Sequence, residues 1–168
     1  MKNKKQFVIL DTETTGLDHD AEIVEICILR NDGLVLLDTL VKPLNPIPAQ
    51  ATAIHGITNK DVENAPYYHE IHNQVIDILN QYTCYIYNSD YDTRLIKQSC
   101  EQYNIGFNRE EYKFKCVMLD YAKQYNFGKW AKLIHAYDRL AFNKPSGIVA
   151  HRALGDCIMT LCVIEQMY

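Results

Sequence analysis

Phe7-Val8-Ile9-Leu10-Asp11-Thr12-Glu13-Thr14-Thr15-Gly16-Leu17 is the stretch on which the fold turns. Its four leading apolar residues suffice for one buried strand and are too few for a helix. Two carboxylates, Asp11 and Glu13, therefore stand at or just past the strand's end. Side chains two apart on a strand share a face, so both can aim at one point in space. Like charges so placed repel unless something neutralises them, and hard divalent cations with oxygen ligands do this commonly. Taken alone, the stretch reads more readily as a pair of solvated turn residues.

Outward from this strand, Leu17-Asp18-His19-Asp20 is a polar turn. Glu22–Leu29 and Leu34–Val41 are strand-like, and Asn31-Asp32-Gly33 between them is a strong hairpin signal. Three strands joined by short turns run antiparallel. Pro43, Pro46 and Pro48 exclude a central strand from the next segment. Pro48 suits the first turn of a short helix through about Ile54, and a second short helix is expected to start near Asn59 or Lys60. Tyr68–Gln81 reads as a helix with Ile71, Val75, Ile78 and Leu79 on one stripe. Thr83–Tyr87 is a fourth strand, followed by a helix that Ser89 caps and that turns Leu95 and Ile96 inward. Lys113–Val117 is a fifth strand, entering a helix through Met118, Leu119, Ala122 and Tyr125. Short helices are expected over 128–146, broken by Pro145-Ser146-Gly147. A last helix is expected from about His151 to Met167, with Leu154, Cys157, Ile158, Leu161 and Ile164 as its core stripe. A meander followed by strand–helix alternation predicts an α/β fold, a single mixed sheet with helices on its faces.

At 168 residues and 48% apolar content the chain has room for one domain, 1–168, with a real core behind a basic tail over 1–5. No apolar run approaches the roughly 18 residues of a membrane span. The four apolar residues behind Met1-Lys2-Asn3-Lys4-Lys5 are too few for a signal peptide. Six cysteines without a C-x-x-C pair read as buried thiols in a reducing compartment, so a cytoplasmic protein is expected. The net charge of −4 hides a split: residues 1–93 carry 14 acidic and 6 basic side chains, residues 94–152 carry 5 and 11. A polyanion held near a carboxylate cluster would suit that split; ordinary surface charge would produce it as well.

Two distant pieces bear on the carboxylate pair. Asp92 closes Tyr87-Asn88-Ser89-Asp90-Tyr91-Asp92, just inside a helix, and His151 and Asp156 stand in Ala150-His151-Arg152-Ala153-Leu154-Gly155-Asp156. Each is weak alone: an Asp in a helix's first turn is favoured by the macrodipole, and a lone His is more often structural. Together they bring four carboxylates and one imidazole to strand ends and helix starts, where open α/β sheets place their sites.

With these pieces assembled, the sequence resembles the DEDD superfamily of 3′→5′ exonucleases, in its branch with a histidine base. D-T-E-T-T-G-L, N-S-D-Y-D and H-R-A-L-G-D match its three motifs in order, and Ile54-His55-Gly56-Ile57-Thr58 matches a segment typical of proofreading-type members. The resemblance covers essentially the whole chain. One departure is Tyr87, where many members have histidine before the asparagine, and it leaves local substrate contacts open.

The resemblance implies a ribonuclease-H-like mixed five-stranded sheet, an antiparallel meander followed by parallel strands. It implies that Asp11, Glu13, Asp92 and Asp156 bind two Mg²⁺ or Mn²⁺ ions, clamping the attacking and leaving oxygens of an in-line displacement. His151 is then the general base, a task suited to a side chain that ordinarily titrates near about 6.5. Thr14 and Leu17 are expected at the terminal nucleotide, with Ile54 and Ile57 completing its pocket; Ile57 reads equally as core. His55 either touches a phosphate or caps a turn. The implied partners are single-stranded or frayed 3′ ends of DNA or RNA, with polymerase association or self-association open and no membrane. DNA is the expected substrate and an RNA-trimming exoribonuclease the alternative, since the same site cuts both. A non-catalytic nucleic-acid-binding module is the reading from another class, which would not need all five groups.

Overall fold

A computed structural model describes residues 5–142 and 144–168. The tail residues 1–4 and Asn143 lie outside the described residues. The five strands are β1 (Phe7–Thr14), β2 (Ile23–Arg30), β3 (Val35–Leu40), β4 (Thr83–Ile86) and β5 (Phe114–Cys116), in the sheet order β3-β2-β1-β4-β5. β1 pairs antiparallel with β2, and β2 with β3; β4 runs parallel to β1, and β5 to β4. Meander and parallel half are thus both as expected. β1 extends through Thr14, so Asp11 and Glu13 lie within the strand rather than past its end.

Among the described residues six α-helices clothe the sheet, α1 (Ala49–His55), α2 (Tyr68–Gln81), α3 (Ser89–Gln102), α4 (Val117–Tyr125), α5 (Leu133–Leu140) and α6 (Ala153–Met167), with one 3-10 turn at Arg109–Glu111. The alternation of β1 splits its side chains between two cores. Val8 and Leu10 pack with Ile71, Val75, Leu95 and Ile96 of α2 and α3. Ile9 packs with Val117, Tyr121, Ala136 and Cys157 of α4, α5 and α6. Asp11 and Glu13 continue the Ile9 face and so point toward the start of α6. A smaller cluster of Ile47, Ala51, Ile57 and Val62 seats α1 against Val24 of β2.

Several local expectations are corrected. No second helix forms near Asn59: residues 59–64 are consecutive turns. Their amides bond three residues back (Asp61 to Thr58, Glu63 to Lys60, Ala65 to Val62), and the Asn59 side chain is taken up by the Ile47 backbone. The cap position before α3 is Asn88, and Ser89 is the first helical residue. Over 128–146, α5 is the only helix among the described residues. α6 starts at Ala153 because His151 has φ of +58°, which no right-handed helix admits. Its buried residues are Ala153, Gly155, Cys157, Met159, Thr160, Val163 and Ile164. Leu154, Ile158 and Leu161 of the expected stripe are only half-buried. The wide buried face follows from position, since α6 packs on β1 and β2 on one side and on α4 and α5 on others.

Cys27, Cys84, Cys100 and Cys157 are buried, Cys116 and Cys162 half-buried, and all six are free thiols. No described helix is long and apolar enough to cross a membrane.

Candidate active site

Three chain segments deliver the acidic groups. Asp11 and Glu13 come from β1, and Asp156 comes from the first turn of α6; one oxygen from each lies within 4.8 Å of the others. Asp92 projects from the first turn of α3 and stands outside that trio, but its charge is the largest charge acting on Asp11. Its Oδ1 accepts a hydrogen bond from the Thr12 hydroxyl at 2.8 Å, which ties α3 to β1. Asp156 Oδ1 accepts from the backbone N–H of His151 at 3.0 Å. The left-handed turn at His151 makes that bond and leaves the imidazole exposed. Gly155 lets the turn close this tightly, because a Cβ there would lie 2.0 Å from the Val149 carbonyl oxygen.

The electrostatics follow from crowding. Burial first, then the charges of Asp156 and Glu25, push Glu13 up to about 8. Burial raises Asp92 to about 7 against the lowering bond from Thr12. Asp11 is raised well above the usual carboxylate range by burial and by Asp92 and Asp156; Asp156 is raised as well, chiefly by burial. Without a cation, then, the cluster holds protons. Carboxylate oxygens are its only side-chain donors, the set that hard divalent cations prefer, so the residues present fit such an ion.

A cleft of about 550 Å³ adjoins the carboxylates, lined by Glu13, Thr14, Leu17, Ile54, His55 and Tyr91 among others. Leu17 projects into solvent, 77% exposed, from a loop that is firmly held. Arg94 donates to the Leu17 and Asp18 carbonyls at 3.1 and 3.0 Å. The Tyr91 hydroxyl donates to the Gly16 carbonyl at 2.8 Å and lies 2.7 Å from the Thr14 hydroxyl. His55 is buried beneath, accepting from the Ile57 amide at Nδ1 (3.0 Å), which leaves Nε2–H to donate to the Thr14 carbonyl (3.2 Å). Burial lowers its pKa, in keeping with a neutral ring that fixes the end of β1. Ile57 does not reach the cleft: it is 3% exposed, in the small core under α1. A separate cavity of about 440 Å³ opens at the other end of the sheet, between Phe7, Tyr85 and Tyr168, remote from the carboxylate trio.

Four site-shaping residues went unread in the sequence: Thr12, Glu25, Tyr91 and Arg152. Thr12, Tyr91 and Arg152 lie inside quoted motifs, but their roles depend on partners far away in the chain. Arg152 Nε donates to both Glu25 oxygens at 3.1 Å, and the Ala153 amide donates to Glu25 Oε2 at 2.9 Å. This clamp, with Glu25 buried on β2, docks the start of α6 onto the sheet.

The comparisons with known proteins agree with this geometry. The chain is 44% identical over 170 residues to "Uncharacterized exonuclease CP81" of Escherichia phage 186, covering 95% of this chain and 87% of that one. It is 26% identical over 159 residues to the DNA polymerase III subunit epsilon of Pasteurella multocida, covering 89% of this chain but only 62% of the subunit. Among solved structures, exonuclease X in complex with 5′ overhanging duplex DNA superposes with a TM-score of 0.74 at 26% identity, over 96% of this chain and 90% of that one. The RNase T family of exonucleases matches residues 8–164. With its acidic trio at the end of β1 and that match over nearly its whole length, the chain belongs to the RNase T exonucleases, the DEDD group of 3′→5′ enzymes on a ribonuclease-H-like sheet.

Proposed function

We propose that Asp11, Glu13, Asp92 and Asp156 hold two Mg²⁺ or Mn²⁺ ions, and that residues 1–168 work as one exonuclease domain. Its substrates are the unpaired or frayed 3′ ends of DNA, from which it releases nucleoside 5′-monophosphates. The observation that carries this reading is the convergence of Asp11, Glu13 and Asp156 within 4.8 Å beside the turn of His151. When bound, such ions polarise the scissile phosphate and make water a stronger nucleophile at neutral pH.

The chain's own residues supply the rest. The exposed imidazole of His151 accepts the proton of the attacking water at a ring nitrogen. The water oxygen bonds to phosphorus, the P–O3′ bond breaks with its electron pair going to O3′, and that oxygen takes a proton from solvent to leave the penultimate nucleotide with a 3′ hydroxyl. Leu17, held out by Arg94 and Tyr91, packs against the terminal base with Ile54 across the cleft. The Thr14 backbone, fixed from below by His55, lines the same nucleotide. Apolar packing of this kind is indifferent to base identity. An unstacked base reaches Leu17 at lower cost than a paired one, hence the preference for frayed ends. DNA is favoured because the exonuclease X structure, at 26% identity, is a DNA complex.

The test is digestion of 5′-end-labelled single- and double-stranded DNA and RNA with Mg²⁺, with Mn²⁺ and with chelator. Metal-dependent shortening from the 3′ end, fastest on single-stranded DNA, is expected. Faster RNA trimming would reassign the substrate. Binding without nucleotide release on all four substrates would leave only a non-catalytic module.

A further inference from the structure

Between Asp120 and Asp138 the chain carries three lysines and no carboxylate. Its only tryptophan, Trp130, sits between two of them in Gly128-Lys129-Trp130-Ala131-Lys132. Trp130 is 67% exposed, an uncommon place for so large an apolar side chain. The segment around it is held in place. Asn126 Nδ2 donates to the Lys129 carbonyl at 2.7 Å, and the Tyr87 hydroxyl donates to the Ala131 carbonyl at 2.8 Å.

Tyr87 locates this tether. β4 pairs in parallel with β1, with Tyr85 opposite Ile9. β4 ends at Ile86, and Tyr87 is the first residue past it, leaving the sheet on the β4 side of β1. Tyr87 packs in the same core as Ile9, and alternation carries that face on to Asp11. The tyrosine thus reaches from the flank of the carboxylates to the backbone next to Trp130. This is the β4 flank of β1; α1 and Ile54 belong to the other, where α1 packs on Val24 of β2.

A phosphodiester laid across the carboxylates has its 3′-terminal nucleoside on one flank and the rest of its strand on the other. With the terminal nucleoside in the cleft of Leu17 and Ile54, the preceding nucleotides leave over the Tyr87 flank and meet an exposed indole with an exposed lysine on either side. We propose that Trp130 stacks on an unpaired base on the 5′ side of the scissile phosphate, with Lys129 and Lys132 against the backbone phosphates of that strand. The inference rests on the exonuclease reading above and adds to it the path of the strand. Stacking of this kind tolerates any base, because every base has a π face. A duplex hides those faces, so the platform selects unpaired strands.

Because Trp130 is the only tryptophan, its fluorescence reports the contact directly. An oligothymidylate of about ten residues, added to the full chain with Ca²⁺ in place of Mg²⁺, should quench that fluorescence on binding. Trp130→Ala should weaken binding of the fluorescein-labelled oligomer, read by polarisation, by about 5- to 150-fold. Trp130→Phe should restore most of it. Phe127→Ala removes a still more exposed aromatic that lacks the tether and should leave affinity unchanged. Lys129→Ala with Lys132→Ala should flatten the salt dependence of binding. Unchanged fluorescence, full affinity in Trp130→Ala, or an equal loss in Phe127→Ala would overturn the platform. If mononucleotides are still released in Mg²⁺, the exonuclease reading survives that result; a protein that neither binds nor releases fails on both.

Discussion

Replacing Glu13 by Gln should make the metal-free protein more stable, and most of all at high pH. Glu13 ordinarily titrates at 4.5 and in the fold is pushed up to about 8. Between those values the folded chain keeps a proton that the unfolded chain gives up, so stability falls as pH rises through this window. At about 1.36 kcal/mol per pH unit the full window is worth about 4–5 kcal/mol. Burial is the largest cause of the shift, and the charges of Asp156, Glu25 and Asp92 add to it. Because these neighbours relax as Glu13 is neutralised, a gain on the order of 2 kcal/mol is expected rather than the full window. For a chain of this length that corresponds to a Tm higher by about 4–8 °C. The assay is thermal unfolding by circular dichroism in chelator, near pH 5 and near pH 9, for the wild type and Glu13→Gln. The variant should gain on the wild type near pH 9 and lose that advantage near pH 5. Saturating Mg²⁺ or Mn²⁺ should raise the wild-type Tm near pH 9 and the variant's less, since binding to the native state alone stabilises it. A variant that is no more stable near pH 9 than the wild type would refute the reading of Glu13 as a strained carboxylate of the cluster.

Other substitutions probe the remaining parts. Asp11→Ala and Asp156→Ala should abolish nucleotide release while leaving the far-ultraviolet dichroism unchanged; near-normal rates at saturating Mg²⁺ would contradict the ligand assignment. His151→Ala should slow release by about 10²–10⁴-fold with metal affinity by calorimetry unchanged, and a proportional loss of affinity would make His151 a ligand instead. Gly155→Ala must displace the Val149 backbone, so both Tm and activity should drop, and a variant with wild-type values would contradict the close approach. Arg152→Ala leaves the buried Glu25 carboxylate without its ion-pair partner. It should cost about 1–3 kcal/mol in urea unfolding, less than a sealed pair because the guanidinium is partly open to solvent.

How much of this was legible depended on the range of the interactions. The apolar run 7–10 marks a strand, whose two-residue repeat places Asp11 and Glu13 on one face whatever surrounds them, and Tyr68–Gln81 shows its apolar stripe at helical spacing. Both were readable locally. The fold class followed from the hairpin signal and the later strand–helix alternation. The start of α6 was not readable, because φ > 0 at His151 is a conformation that histidine rarely takes, and the Arg152–Glu25 clamp behind it joins residues 127 positions apart. The face of α6 was misjudged for the same reason: a stripe predicts one packing partner, whereas α6 has the sheet, α4 and α5 around it. Ile57 looks like a pocket residue in a motif yet belongs to the core under α1, whereas His55 lines the cleft and also buttresses Thr14.

The hydrogen bonds at the site show how it is set before any ion or substrate arrives. Asp92 has Oδ1 engaged by Thr12, and Asp156 has Oδ1 engaged by the His151 amide. Each is oriented by one oxygen, which leaves the other free to serve as a ligand. Asp11 and Glu13 accept no side-chain hydrogen bond among the described residues, and no sealed polar atom there lacks a partner, so their oxygens reach the solvent of the cleft. They need no such tether, because a paired strand already fixes their direction. Glu25 extends the logic: it adds to the negative field on Glu13, but its own charge is answered by Arg152. The guanidinium is thereby spent on docking α6 and does little to neutralise the trio, whose repulsion stays available for a cation to relieve. Relief of that repulsion would be one contribution to the binding of a divalent ion in the proposed site, beside the ion's ligation and the cost of its own desolvation.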